Sequence, residues 1–271
     1  MSLPKLLTPR LVKRYDNDGI LTIPLPPSLR KLQSAYFQEV ADWLKLVANI
    51  SVSPNTIPET LPQIAAANRP LIAKLYKISR RFPSVKRMSV DPWLTKVSMQ
   101  LMRTRLASAC HFVNIRIDLP GEEKYLLPPH QDFPYIQGSL NALTWWIPFL
   151  DTSLEMGPPS WIPGSHRHGV QKVKYLDYEA TGQSGGRSFE IVDLAQYRDN
   201  EYTRKPVRRG HALVFHTLLI HRSEHNHTDK ARINIQIRFD DSTARESFDR
   251  NYPEGLYLGD AFSKSYPEYI A

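Results

Sequence analysis

The feature that most constrains this chain is a change of texture near residue 110. Beyond it the sequence runs in short segments rich in Val, Ile, Phe and Trp, parted by Pro and Gly. The runs are HFVNIRIDL, ALTWWIPFL, HALVFHTLLIH and ARINIQIRF. Several short strands at this spacing point to a sandwich or barrel. In HFVNIRIDL, Phe112, Asn114 and Arg116 share one face and Val113, Ile115 and Ile117 the other. ARINIQIRF alternates strictly, with Ala231, Ile233, Ile235, Ile237 and Phe239 against Arg232, Asn234, Gln236 and Arg238. HALVFHTLLIH is almost continuously apolar, the pattern of a buried strand.

Before residue 110 the periodicity is helical. Residues 29–50 place Leu32, Tyr36, Val40, Trp43, Leu44 and Val47 on one face, with Ser28 as the N-cap. SVSPNTIPETLP is a loop, a second helix is expected over about 63–80, and a third over 92–108, opened by Asp91-Pro92. No linker divides the two parts. Residues 1–271 therefore read as one mainly β domain: helical support over 28–108, a core over about 110–240, and an irregular tail over 241–271. Tyr252, Tyr257, Tyr266 and Tyr269 are expected to pack that tail against the body.

One cysteine, Cys110, excludes an internal disulfide and a Cys-rich zinc site. It fits a reducing, cytoplasmic setting. The N-terminus has no apolar core of signal-peptide length, and no window is apolar enough to span a membrane. The formal charge of +8 gathers in clusters such as Lys74, Lys77, Arg80 and Arg81. No nucleic-acid motif accompanies it, so no nucleic-acid partner is expected. A solvated surface that steers small anions is the reading adopted. The partner is a small-molecule substrate, and the chain is a monomer or homodimer.

His130 and Asp132 stand two apart in LPPHQDFPY. On an extended segment they would share one face. His221 ends the apolar run and needs a partner there. Two imidazoles and a carboxylate form the facial set of non-haem Fe(II) sites that activate O2. Arg232 follows eleven residues later, beyond the polar turn SEHNHTDKA, on a strand expected to lie next to His221. Its face is either solvent-exposed or the polar interior of a barrel with a guanidinium placed for a carboxylate. His166 and His168, and His225 and His227, are rival pairs; His216 reads as a hydrogen-bonded core residue. HEXXH and a P-loop are absent.

Together these residues resemble the phytanoyl-CoA dioxygenase family of Fe(II)/2-oxoglutarate oxygenases. The matching segments are HQD at 130–132, NALTWWIPFLD at 141–151, GPPSWIPGSH at 157–166 and FHTLLIHRSEHNHTDKAR at 215–232, with DNDGILTIP as the opening strand. The resemblance implies a double-stranded β-helix, a jelly-roll core with flanking helices. It implies Fe(II) on His130, Asp132 and His221, with 2-oxoglutarate and O2 as cosubstrates. Arg232 would hold the distal carboxylate of 2-oxoglutarate, with Ser223 and Thr144 assisting. Gln131 and His166 match positions around the iron, and Trp146, Arg116 and Arg222 are candidate pocket residues. Gly210-His211 replaces the usual Gly-Asp, and Arg222 stands where Gly is common. Halogenating relatives carry Gly or Ala in place of Asp132, so its carboxylate implies hydroxylation of a small molecule. The alternatives are a jelly-roll binding module without catalysis and a cupin-type metalloenzyme that does not use 2-oxoglutarate.

Overall fold

The computed structural model describes residues 5–176, 188–255 and 261–271. Thr8 accepts from the Leu11 amide and Pro9 opens α1 (Pro9–Asp18), which stops where Gly19 turns left-handed at φ 74°. β1 (Ile20–Pro24) follows, the opening strand expected from DNDGILTIP. α2 (Pro27–Ala48) is the expected first helix and buries Leu32, Tyr36, Val40 and Leu44. Val47 is exposed, and the N-cap is Pro26 rather than Ser28.

α3 (Ile57–Ser79) begins earlier than expected and breaks at Asn68, whose backbone leaves the helical region. Pro70 lacks the amide that would continue the first half. The Asn68 side chain accepts from the Leu71 amide at 3.2 Å and so caps the second half. After α4 (Pro83–Ser89), Asp91 caps α5 (Pro92–Met102) through the Trp93 and Leu94 amides. That helix ends well short of residue 108, because Arg103 adopts a left-handed φ of 54°. Residues Ala107–Ala109 are a strand, β2. Helix outweighs strand along the chain, so the fold is mixed α/β with an antiparallel sheet, not mainly β.

The remaining strands are β3 (Asn114–Asp118), β4 (Ala142–Pro148), β5 (Ser160–Trp161), β6 (Val173–Leu176), β7 (Ser188–Ile191), β8 (His211–His216), β9 (His221–Arg222) and β10 (Arg232–Asp241). The main sheet runs β1-β8-β4-β10, and both β2 and β3 pair with the far edge of β10. Two short pairs, β5-β9 and β6-β7, lie outside it. One face of the main sheet, carrying Trp145, Ile147, Val214, Ile233, Ile235 and Ile237, forms one apolar core with α2, α3 and α5. The other face carries Trp146, Leu213 and Phe215, which cluster with Trp161 of β5.

Two sequence expectations fail here. HALVFHTLLIH is not one strand. β8 ends at His216, the Leu219 amide bonds back to the His216 carbonyl at 2.9 Å, and the chain restarts as β9 against β5. The run stays apolar because the turn is itself buried, with Leu219 and Ile220 fully covered. β10 is also not beside β9; its neighbours are β3, β4 and β2. The C-terminal aromatics behave only in part as expected. Tyr266 packs on Phe133 and donates to the Gly138 carbonyl at 2.8 Å, whereas Tyr252 is half exposed. Tyr257 lies outside the described residues.

Candidate metal centre and cosubstrate cavity

His130 and His221 are held face to face by the backbone. Each donates its amide to the other's carbonyl, at 2.9 and 3.0 Å. Asp132 does not sit on an extended segment as expected. Its backbone is α-helical (φ −69°, ψ −27°) and starts a single turn, α6 (Phe133–Ile136). The Asp132 and Phe133 amides both donate to the Thr217 carbonyl, in the turn between β8 and β9. That anchor, rather than strand alternation, carries the carboxylate towards the imidazoles. Oδ1 of Asp132 lies 3.8 Å from Nε2 of each histidine. The ligand atoms of the three buried residues lie within 4.8 Å of one another, the one such grouping among the described residues.

The partners of these side chains determine which atoms are presented. Nδ1 of His130 meets the Pro128 carbonyl at 2.7 Å, and Nδ1 of His221 meets the Leu219 carbonyl at 2.9 Å. A carbonyl only accepts, so each Nδ1 carries the proton and each Nε2 lone pair faces inward. On Asp132, Oδ2 accepts from the Thr144 hydroxyl at 2.5 Å and from Arg238 Nε at 3.3 Å. Oδ1 remains for a metal. Burial pushes the His130 imidazole down to about 3, helped by His221, and burial lowers His221 against the pull of Asp132. Burial alone would raise Asp132, but Arg238 and the two imidazoles outweigh it and hold the carboxyl far below its usual range. Neutral nitrogens and an ionised carboxylate are what a divalent metal needs.

A cavity runs from this triad into the sheet, past Trp146 and Phe215 to Asn234 and Arg232. The polar face of β10 lines it through Arg232, Asn234 and Gln236, and Arg232, Asn234 and Arg238 are buried, which decides between the two readings of that strand for the barrel interior. Arg232 and His221 come from different sheets and face one cavity. Both polar atoms of the Asn234 amide and Nη1 of Arg238 are buried with no partner within the chain. Such atoms fit a bound polar ligand. A His-Asp-His set is also hard enough for ferrous iron.

Arg232 is already engaged. Its Nε and Nη2 donate to Oδ2 of Asp118 at 3.1 and 3.0 Å. Its Nη1 donates to the carbonyls of Met156, Gly157 and Glu224. Arg116 holds the other oxygen of Asp118 at 2.6 Å. Two cations thus share one carboxylate and, against burial, hold it down to about 2. Asp118 went unremarked in the sequence, although it stands two after Arg116 and falls opposite Arg232 in the β3-β10 register.

The other expected site residues divide. Ser223, Trp146, Arg116 and Arg222 line the cavity. Arg222 is nevertheless turned to Glu224 and Asp199 and lies over the Tyr202 ring, so it forms a tied rim. Thr144 directs its hydroxyl to Asp132. Gln131 points away from the cavity, donating to the carbonyls of Gly169 and Leu218 and accepting from the Gln171 amide. His166 is also outside it, set 3.2 Å from the Asp16 carbonyl and against His216. The outward turn of Gln131 follows from the bridge at His130, because neighbouring residues of extended chain point to opposite sides.

The chain is 39% identical over 107 residues to mouse phytanoyl-CoA dioxygenase domain-containing protein 1, a match spanning 38% of this chain but only 35% of the mouse protein. In structure it resembles the non-haem α-ketoglutarate-dependent carbocyclase SnoK of nogalamycin biosynthesis, with a TM-score of 0.61 at 17% identity over 95% of this chain and 91% of that one. It also resembles the epimerase SnoN, solved with Fe3+, α-ketoglutarate and nogalamycin RO, with a TM-score of 0.56 at 20% identity over 86% and 83% of the two chains. These likenesses extend the double-stranded β-helix fold to this chain. The model of the family phytanoyl-CoA dioxygenase (PhyH) matches residues 78–234, more than half of the chain, and takes in the complete triad. The chain therefore belongs to the phytanoyl-CoA dioxygenase family of Fe(II)/2-oxoglutarate-dependent oxygenases.

Proposed function

We propose that the protein hydroxylates an unactivated C–H bond of a small organic molecule, acting as one oxygenase domain over residues 1–271. The observation that carries this is the single cavity in which a buried His-Asp-His triad and a buried arginine face one another. His130, Asp132 and His221 would hold the iron, which with 2-oxoglutarate and O2 would supply the oxidising power, the cosubstrate leaving as succinate and CO2.

The protein's own residues supply placement. The Pro128 and Leu219 carbonyls hold the two imidazoles in the ligating tautomer. Thr144 and Arg238 fix Oδ2 of Asp132, so that one oxygen ligates. Arg232, with Ser223, takes the distal carboxylate of 2-oxoglutarate. The contacts of Arg232 leave one N–H, on Nη2, for that purpose, and the carboxylate joins Asp118 on the same guanidinium. Trp146 and Phe215 present apolar surface that keeps water from the reacting carbon. An intact Asp132 supports hydroxylation over halogenation, because its carboxylate fills the position a halide would need.

The test is spectroscopic. Anaerobic protein loaded with Fe(II) is expected to gain the visible metal-to-ligand band when 2-oxoglutarate is added. Fully loaded iron without that band would sink the cosubstrate assignment. Among the described residues no helix is long and apolar enough to cross a membrane.

A further inference from the structure

Arg238 meets the carboxylate of the triad in a way that guanidinium groups do not choose when left free. A guanidinium beside a carboxylate favours two parallel hydrogen bonds, and charge-assisted bonds run at about 2.7–2.9 Å. Arg238 makes one, from Nε to Oδ2 of Asp132, and it is long at 3.3 Å. Its shorter bond goes to a neutral group: Nη2 donates to Oε1 of Gln236 at 2.8 Å. Nη1 is buried and meets no acceptor among the described residues. Asp132 and Gln236 together therefore set the plane of this guanidinium.

Gln236 is itself held from behind. It stands opposite Asn114 in the β3-β10 register, and Asn114 Nδ2 donates to the same Oε1 at 3.4 Å. Tyr76, on the second half of α3, donates to Oδ1 of Asn114 at 3.0 Å. A guanidinium can only donate, so the oxygen of the Gln236 amide is the atom that faces it. A line of hydrogen bonds thus runs from α3 across β3 and β10 and ends on Asp132.

We propose that Gln236 is a positioning residue for the metal, holding Arg238 to one oxygen of Asp132 and keeping Oδ1 free to ligate. Without the Gln236 acceptor, the guanidinium turns until its fork meets both carboxylate oxygens, the arrangement its geometry favours. Oδ1 is the oxygen that lies 3.8 Å from Nε2 of each histidine. A metal then has to displace an N–H to bind there. Thr144 does not prevent the turn, because its hydroxyl donates to Oδ2. The inference rests on the metal reading of the triad and adds the residue that keeps its carboxylate in the ligating form.

The experiment titrates metal-free protein with Co(II), whose d–d bands report both occupancy and coordination, and with Fe(II) in competition with a chelator. Gln236→Met keeps the side-chain length and removes the acceptor. It is expected to weaken both metals about 5- to 20-fold, near the lower end for groups that support a ligand. It should also shift the Co(II) bands, whereas a mere loss of folded protein lowers their amplitude in place. In an Arg238→Lys background a single ammonium cannot span two oxygens, and Gln236→Met is expected to cost less than about twofold. Arg238→Met repeats that comparison without the cation. The proposal is overturned if Gln236→Met binds metal like wild type, if the bands stay in place, or if the change costs as much in the Arg238 variants as in the wild type. Wild-type protein that takes up neither metal would remove the metal reading and this inference with it. Metal uptake without the 2-oxoglutarate band would remove the cosubstrate alone, and the Gln236 comparison would still decide the proposal.

Discussion

Asp118→Asn is the most informative single change, because one carboxylate serves two buried arginines. Oδ1 accepts from Arg116 Nε and Nη2 at 3.0 and 2.6 Å, and Oδ2 from Arg232 Nε and Nη2 at 3.1 and 3.0 Å. Asparagine keeps the shape but only one accepting oxygen. Its amide hydrogens then face a guanidinium. Two routes bound the effect. The carboxyl is held at about 2 against a usual 3.8, a difference worth about 2 kcal/mol. Removing one partner of a buried ion pair costs about 3–5 kcal/mol. The expected loss is therefore about 2–5 kcal/mol, or about 4–9 °C in Tm for a chain of this length.

Urea and thermal unfolding of the metal-free protein measure this loss. The pH dependence has a definite sign. The folded-state pKa of Asp118 is depressed, so its contribution is complete above about pH 4 and is lost as pH falls towards 2. Adding 2-oxoglutarate supplies a replacement carboxylate to Arg232. It should raise the Tm of Asp118→Asn by more than that of the wild type. A variant as stable as wild type would refute the two-arginine clamp. Equal stabilisation of both proteins by 2-oxoglutarate would refute the claim that its carboxylate and Asp118 share Arg232.

Thr144→Val deletes the 2.5 Å hydrogen bond to Oδ2 of Asp132 with little change of volume. Fe(II) affinity, read by chelator competition, should fall about 10- to 100-fold, and an unchanged affinity would show that Arg238 alone orients the carboxylate. His216 is pushed down to about 3, first by burial and then by His166, and its Nδ1 accepts from the Leu218 amide at 3.1 Å. The unfolded chain therefore takes up that proton first, and stability drains as pH falls below about 6.5, by about 1.4 kcal/mol per unit for this residue. His216→Gln should flatten the urea-midpoint profile between pH 6.5 and 4.5; an identical slope would place the acid sensitivity elsewhere.

How much of this was legible depends on whether a feature is local. The residue types of the triad, the alternation of β3 and β10, and the capped start of α5 are local patterns, and all are present as read. The backbone of Asp132 was not legible. His-x-Asp has the same spelling on a strand or at a helix start, and the choice is made by the Thr217 carbonyl, which lies far along the chain. The break after His216 was hidden for a related reason. A buried turn carries Leu218, Leu219 and Ile220, so it shows no polar punctuation. Asp118 was visible but mute, since its meaning depends on a register with Arg232 that only strand pairing sets.

The polar face of β10 shows why the function cannot be separated from the fold. A strand wetted by solvent and a strand lining a barrel spell the same alternation, and only burial distinguishes them. Here burial leaves the Asn234 amide and one Arg238 nitrogen without partners inside the chain. Each such group costs about 1–3 kcal/mol while unsatisfied. Replacing Asn234 by Leu would remove that penalty and should stabilise the metal-free protein. A polar ligand in the cavity that meets the same atoms stabilises the native protein in proportion to its affinity. Asn234→Leu should therefore raise Tm without ligand and reduce the further rise that 2-oxoglutarate brings. A lower Tm for the ligand-free variant would show that Asn234 is structural and that the cavity is not built around a polar guest.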